Sequence, residues 1–410
     1  MSIYTDAQEI IHSALEACLP DQAVRRALEG KELGSGRVFL VALGKAAWQM
    51  ARCAAELLGP RLEQGVVVTK HGHSQGDIPR CQVFEGGHPV PDEGSFRGTR
   101  AAMELVQDLA PQDTVVLLVS GGGSALFERP LIPAEELAQL TSALLACGAD
   151  IVEMNTVRKR LSAVKGGRFA QLCAPAQVYS IVLSDILGDH LDMIASGPAY
   201  PDRSTCAQAR AIAEKYQLPL SGQARALLDQ ETPKELDNVE TVITGSVREL
   251  CSAAAAACQR LGYETHILTD QLCCQAREAG SFLASIARTH GQEGRSLAFL
   301  AGGETVVLLT GKGLGGRNQE LALSAAEGIS GMENALIFSL GSDGTDGPTD
   351  AAGGIVDGQT RGKLAQAGLT IHQVLADNDA YHALEKVDGL IRTGPTGTNV
   401  NDVAVVLLKG

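Results

Sequence analysis

Short apolar, β-rich runs recur along the chain, each closed by glycine or a polar cluster and followed by a segment with helical spacing. They are Val38 to Leu43, Val66 to Thr69, Thr114 to Val119, Val178 to Leu183, Thr241 to Thr244, Thr265 to Leu268, Leu336 to Leu340 and Val403 to Leu408. Alternation of this kind predicts parallel strands joined by crossover helices. Because the runs are almost wholly apolar, the strands are expected to be covered on both faces. One more strand is expected over Thr305 to Leu309, and a helix over Asn318 to Glu327. The polar, proline-containing stretch Asp229 to Asn238 separates two blocks of alternation and predicts a boundary, with domains at residues 1–232 and 233–410. The alanine run Ala253 to Ala257 reads as a tightly packed helix, and no repeat of solenoid period is present.

A length of 410 residues exceeds one ordinary core and fits two α/β domains. The net charge of −14 argues against a general nucleic-acid binder, so any phosphate site must be a local basic pocket in an acidic protein. Ten cysteines show neither C-x-x-C nor zinc-ligand spacing and read as buried thiols of a reduced compartment. The segment Ser2 to Leu19 reads as an amphipathic helix and not a signal peptide. No apolar run approaches the roughly 20 residues of a membrane span. A cytoplasmic protein with no membrane partner is expected.

Candidate chemistry gathers where runs end. Gly311-Lys312-Gly313-Leu314-Gly315-Gly316-Arg317 opens the helix expected from Asn318. Glycines let backbone N–H groups approach a ligand, and a helix start adds unpaired N–H groups and the positive end of its dipole. Lys312 and Arg317 sit where that dipole disfavours cations, which a bound phosphate or carboxylate would explain. Gly311, Gly313 and Gly316 match G-x-G-x-x-G, but no acidic residue ends a second strand about twenty residues on, as a dinucleotide site requires. A flexible connection is the alternative.

Lys45, after Gly44, is again a cation at a helix start. Ser120-Gly121-Gly122-Gly123-Ser124 follows a buried run and offers a nest of N–H groups with two hydroxyls. Asn155, Arg158, Lys159, Arg160 and Lys165 form a polar cluster that is either a ligand face or a solvated one. Asp185, at the end of Val178 to Leu183, could orient a hydroxyl or hold Mg²⁺. Asp343, Asp346 and Asp350 form a second acidic set that lacks EF-hand spacing and could equally be turn-formers. His71, His73 and His88 carry no metal signature, and Thr393 to Asn399 is either a closing loop or a long turn. No Ser-His-Asp or Cys-His constellation is visible. Phosphoryl transfer needs little beyond positioning, charge neutralisation and an oriented hydroxyl, so a small-molecule kinase is the inference from residues alone.

Leu-Gly44-Lys45-Ala, Ser120-Gly-Gly-Gly-Ser124, Asn155-Thr-Val-Arg158-Lys, Lys165-Gly-Gly, Ser184-Asp185-Ile-Leu-Gly188-Asp189, Ser196-Gly-Pro and Gly315-Gly-Arg317-Asn318-Gln319-Glu320-Leu occur in this order. Over nearly the whole chain, their order and separations resemble the class II glycerate 2-kinase family, whose C-terminal half is called the MOFRL domain. The resemblance implies a cytoplasmic enzyme of two α/β domains, with its active site in the cleft between them. The first domain would be Rossmann-like and doubly wound, and the second of MOFRL type. The implied reaction is ATP- and Mg²⁺-dependent phosphorylation of D-glycerate to 2-phosphoglycerate, with Lys45 and Arg317 catalytic. Asp185 is the further candidate for chemistry, with Asp185 and Asp343 as metal candidates. The expected substrate and phosphate contacts are Gly44, Ser120, Gly121, Gly122, Gly123, Ser124, Asn155, Arg158, Lys165, Lys312, Gly313, Gly315 and Gly316. Members of the family also carry the name hydroxypyruvate reductase, which leaves an NAD(P)H-dependent reductase as the alternative, beside a non-catalytic organic-acid-binding protein. A homodimer is left open.

Overall fold

The run at Val38–Leu43 is a central strand, β1, of a six-stranded sheet that also holds β2 (Leu62–Lys70), β3 (Cys81–Gly86), β4 (Thr114–Val119), β5 (Gln177–Leu183) and β6 (Val239–Gly245). The order is β3-β2-β1-β4-β5-β6, and the pairs β2/β3, β1/β2, β1/β4 and β4/β5 are parallel. This is the doubly wound order, with its switch point between β1 and β4. Successive residues of a strand face opposite ways. Phe39, Val41 and Leu43 of β1 join Val115, Leu117 and Val119 of β4 in one core. Leu40 and Ala42 join Val116 and Leu118 in the other, against Trp48 and Met50. Two cores explain the unbroken apolar runs. A third cluster, around Leu137, Leu140, Val157 and Leu228, binds the helices Ala134–Ala146, Ile151–Arg160 and Gly222–Leu228 into a layer of their own.

The second sheet is built from β7 (Glu264–Leu272), β8 (Leu297–Gly303), β9 (Ala335–Gly341), β10 (Gly353–Asp357), β11 (Leu390–Ile391) and β12 (Asp402–Leu408). Its order is β11-β10-β9-β12-β8-β7. Here the expectation of parallel strands fails. Only β7 and β8 pair in parallel, while β12 runs antiparallel to both β8 and β9, and β10 antiparallel to β9 and β11. An apolar run reports burial on both faces and carries no information on direction. The strand expected over Thr305 to Leu309 is absent. That segment is irregular apart from a bridge at Val306, and Leu309 is 80% exposed. The strand that feeds the glycine loop is β8, and the helix after the loop spans Arg317–Gly328.

The structure describes residues 2–188 and 190–410. It divides into one unit of Ala23–Thr244 and another of Met1–Gln22 with Gly245–Gly410, and not at residue 232. The difference has two causes. β6 completes the first sheet beyond the polar linker. The first helix, Ile3–Ala17, is tied into the second unit, where Asp6 accepts hydrogen bonds from Tyr263 (2.7 Å) and Lys409 (2.7 Å). Six cysteines are buried, but Cys147 and Cys273 are exposed, against the expectation of buried thiols throughout. Burial pushes the Cys173 thiol up to about 12. No described helix is long and apolar enough to cross a membrane.

Candidate active site

At the carboxyl ends of β1 and β4 the chain makes two turns that lock together. Gly44 has φ +113°, and a Cβ there would lie 2.4 Å from the Ser120 carbonyl oxygen, so only glycine fits. The Ser120 hydroxyl donates to Leu43 O (3.2 Å) and accepts from Ala46 N–H (3.1 Å), while Lys45 N–H donates to Gly121 O (2.8 Å). Ser120 therefore serves as a buried clamp, and its hydroxyl is already engaged. By contrast, the N–H groups of Gly121, Gly122, Gly123 and Ser124 meet no acceptor among the described residues. Gly122 has φ +85°, and a Cβ built on it would lie 3.2 Å from Lys45 Cγ and 3.0 Å from His88 Cδ2. Lys45 and His88 thus flank four unspent N–H groups. Burial, then the charges of Lys45, Lys70 and His73, lower the pKa of His88.

Asp185 lies on the other side of the same turn. A Cβ on Gly121 would lie 2.2 Å from Asp185 Oδ2. Asn155 accepts from Ser196 Oγ (2.9 Å), and Ser196 Oγ lies 3.0 Å from Ser124 Oγ. Ala195 and Ser196 both adopt φ near +55°, strained for residues with a side chain, next to the Gly123 turn. Arg158 donates to Ser124 O (3.4 Å), and its Nε has no partner among the described residues. Lys159, expected on that face, turns instead to Asp192 and Asp202. Lys165 is engaged internally as well. It is fully buried, with its ammonium on Ser124 O (2.8 Å), Phe127 O (3.1 Å) and Glu128 (3.0 Å). Burial lowers its pKa and Glu128 opposes the shift. Asp189 lies outside the described residues.

In the other unit, part of the anion-binding capacity of the glycine loop is spent internally. The N–H groups of Thr310 and Gly311 donate to Asn378 Oδ1, that of Lys312 to Asp377 Oδ1, that of Gly313 to Asp377 O, and that of Leu314 to Asp379 Oδ1. The helix start is capped from within as well, since Asn318 N–H (3.2 Å) and Gln319 N–H (2.8 Å) donate to the carboxylate of Asp346. Burial pushes Asp346 up to about 6, although these N–H bonds pull the other way. Gly316 is required here, because a Cβ would lie 2.2 Å from Asp346 Cγ. The N–H groups of Gly315, Gly316 and Arg317 meet no acceptor among the described residues. The cradle is shorter than the sequence suggested, and it sits beside the arginine.

Arg317 is held by a fork. Its Nε and Nη2 donate to the two oxygens of Asp402 (2.6 and 3.0 Å), and Nη1 donates to Glu304 (2.8 Å). Burial works against the charge, but Asp402 and Glu304 outweigh it and hold the guanidinium above its ordinary pKa. Lys312 is exposed. Asp343 accepts from Thr345 N–H (3.0 Å), and its Oδ1 and that of Asp402 lie 3.4 Å from a common point above Gly341. Among the described residues no group of three or more His, Cys, Asp or Glu is arranged to hold a metal. Sequence reasoning missed Asp402, Glu304 and the capping role of Asp346. Asp346 alone carried a signal, its position among glycines after β9.

Two α/β units, each with unspent N–H groups beside a lysine or arginine at a helix start, define an anion-binding α/β protein. Residues 6–229 match the model of a domain of unknown function, DUF4147, and residues 297–402 match that of the MOFRL family. A D-glycerate 2-kinase of Thermotoga maritima is 52% identical, with 98% of this chain and 97% of the relative covered. The crystal structure of a glycerate kinase from the same organism superposes with a TM-score of 0.95 over 98% of this chain and 99% of that one, at 52% identity. An Agrobacterium vitis relative, 38% identical over 98% of this chain and 93% of its own length, carries a hydroxypyruvate reductase name. The chain belongs to the glycerate 2-kinase family with a MOFRL C-terminal half.

Proposed function

We propose that this protein transfers the γ-phosphoryl group of MgATP to the 2-hydroxyl of D-glycerate, giving 2-phosphoglycerate and ADP. The observation that carries the reading is the pair of cradles, Gly121 to Ser124 beside Lys45 and Gly315 to Arg317 with its fixed guanidinium. Phosphoryl transfer is catalysed largely by positioning and by charge neutralisation on the moving group. Lys45 and Arg317 supply the neutralising charge. Gly44 lets the Lys45 turn close on Ser120, and Ser120 sets the nest of Gly121, Gly122, Gly123 and Ser124 against the phosphates. Asn155 and Arg158 address the substrate carboxylate from the Ser124 side, and exposed Lys312 attracts the nucleotide. Lys165 and Gly313 act as scaffold, because their donors are internally satisfied.

A carboxylate pressed against an anion cradle, as Asp185 is against Gly121, repels phosphate unless a cation lies between them. That arrangement fits Mg²⁺, which is normally held by one or two carboxylates together with substrate phosphates. Asp185 is the residue proposed to hold it in this unit, and Asp343 is the candidate in the other. When bound, Mg²⁺ would neutralise charge on the β- and γ-phosphates.

For the reductase reading, a dinucleotide site in this strand order needs a glycine-rich first βα turn and an acidic group after the second strand. Here that turn holds only Gly44, and β2 ends in Lys70. Separate assays with ATP and glycerate, and with NADH or NADPH and hydroxypyruvate, distinguish the two. Turnover only in the second pair would remove the kinase reading, and ligand binding without turnover in either would leave a binding protein.

A further inference from the structure

We propose that His88 is a further catalytic residue, accepting the proton of the glycerate 2-hydroxyl as the phosphoryl group is transferred. The inference rests on the kinase reading and deepens it. His88 follows β3 and Gly87, and its ring lies across Gly122 from the Lys45 stem, with Nε2 3.3 Å and Cδ2 3.0 Å from the position of a Gly122 Cβ. A group in that place lies beside Gly122, in the middle of the run of unspent N–H groups. The neighbouring histidines are tied down, His71 to Asp92 (2.6 Å) and His73 to Lys45 O (3.0 Å). Neither ring nitrogen of His88 has a hydrogen-bond partner among the described residues.

The charged and titratable groups around it are Lys45 from the turn after β1, Lys70 at the end of β2 and His73 just beyond it, Asp92 already engaged by His71, and Asp185 beside Gly121. Burial and the cationic neighbours keep the imidazole neutral in neutral solution, with a lone pair to offer. As the hydroxyl oxygen bonds to the γ-phosphorus, the bond from that phosphorus to the β,γ-bridging oxygen breaks and ADP leaves with the electron pair. The hydroxyl O–H bond gives its electrons to the oxygen and its proton to the ring. In a loose transition state the proton is lost late, so a weak base suffices. The surrounding cations disfavour the imidazolium and return the proton to solvent. With His88 on the hydroxyl, Asp185 is left for the metal.

The test compares wild type with His88→Gln and His88→Ala, following kcat and kcat/KM from pH 5 to 9, nucleotide affinity by calorimetry, and the melting temperature. Removal of a general base costs roughly 10²–10⁴ in rate. Both variants should lose about 100-fold or more in kcat, keep nucleotide affinity and KM within about threefold, and lose the acid limb of the glycerate kcat/KM profile. Turnover within a few-fold of wild type, or a loss confined to KM with the acid limb intact, overturns the proposal. If the variants do not fold, the wild-type profile decides. A limb below the ordinary histidine range of about 6.5 supports the assignment, and a flat profile down to pH 5 overturns it. Absence of glycerate phosphorylation by wild type would sink the kinase reading itself, an outcome distinct from active variants.

Discussion

Arg317 and Lys45 occupy similar places but are held differently, and their variants should differ accordingly. Removing one preorganised donor costs roughly 10²–10³ in kcat, or about 2.7–4 kcal/mol. Lys45→Ala and Arg317→Ala should both fall in this range. Lys45→Ala is expected to melt like wild type, whereas Arg317→Ala strands the nearly buried Asp402 carboxylate and should lose on the order of 2 kcal/mol, since the arginine is itself one-third exposed. Arg317→Lys should rescue poorly, because an ammonium cannot reproduce the fork to Asp402. Asp402→Asn keeps the Arg317 side chain but frees its guanidinium to shift, and misplacement of this kind costs roughly 10²-fold in kcat. A kcat within threefold of wild type would reject the positioning role of Asp402. Asp346 gives a pH signature. Its folded pKa, about 6, is raised above the ordinary 3.8, so the folded state binds the extra proton and stability falls as pH rises from about 4 to 6. The melting temperature of wild type relative to Asp346→Asn should decline across that window. A constant difference would show that Asp346 has an ordinary pKa. Lys45 and Arg317 were legible in the sequence because a cation beside glycine at a helix start is locally anomalous. His88 and Asp402 were not, because their significance depends on partners distant in the chain, Gly122 and Arg317.

At the scale of elements, the direction of β12 decides what assembles around Arg317. Running antiparallel, it brings Asp402 at its start beside Gly303 and Gly341 at the ends of β8 and β9. A parallel strand, as the apolar pattern suggested, would have put Asp402 at the opposite edge of the sheet. The first sheet was legible because its alternation of strand and helix is regular. β3 was missed because its burial is partial, and β10 because it begins with two glycines. The turns at Gly44 and Gly122 make opposite demands on a mutant. Gly44→Ala would drive a Cβ into the Ser120 backbone and should weaken the whole unit, seen as a lower melting temperature. Gly122→Ala meets only the His88 and Lys45 side chains but must hold φ +85°, at about 1–2 kcal/mol. It should bind nucleotide more weakly than its small loss of stability explains. Unchanged nucleotide affinity would mean the glycines serve only the turn.

On the scale of the whole molecule, a chain of net charge −14 gathers cationic groups into local clusters, Lys45 with Lys70, His73 and His88 in one unit and Arg317 in the other, and the proposed function has these clusters meet the anions. The fold, an α/β unit of doubly wound order and a mixed second unit, is shared with the glycerate kinase structure of Thermotoga maritima. The proposal that it makes 2-phosphoglycerate is tested most directly by identifying the product of ATP, Mg²⁺ and D-glycerate with enolase as the coupling enzyme. Enolase alone should consume the product, since 2-phosphoglycerate is its substrate. A signal that appears only after a phosphoglycerate mutase is added would place the phosphoryl group on the 3-hydroxyl and contradict it, as would turnover of NAD(P)H with hydroxypyruvate in place of ATP.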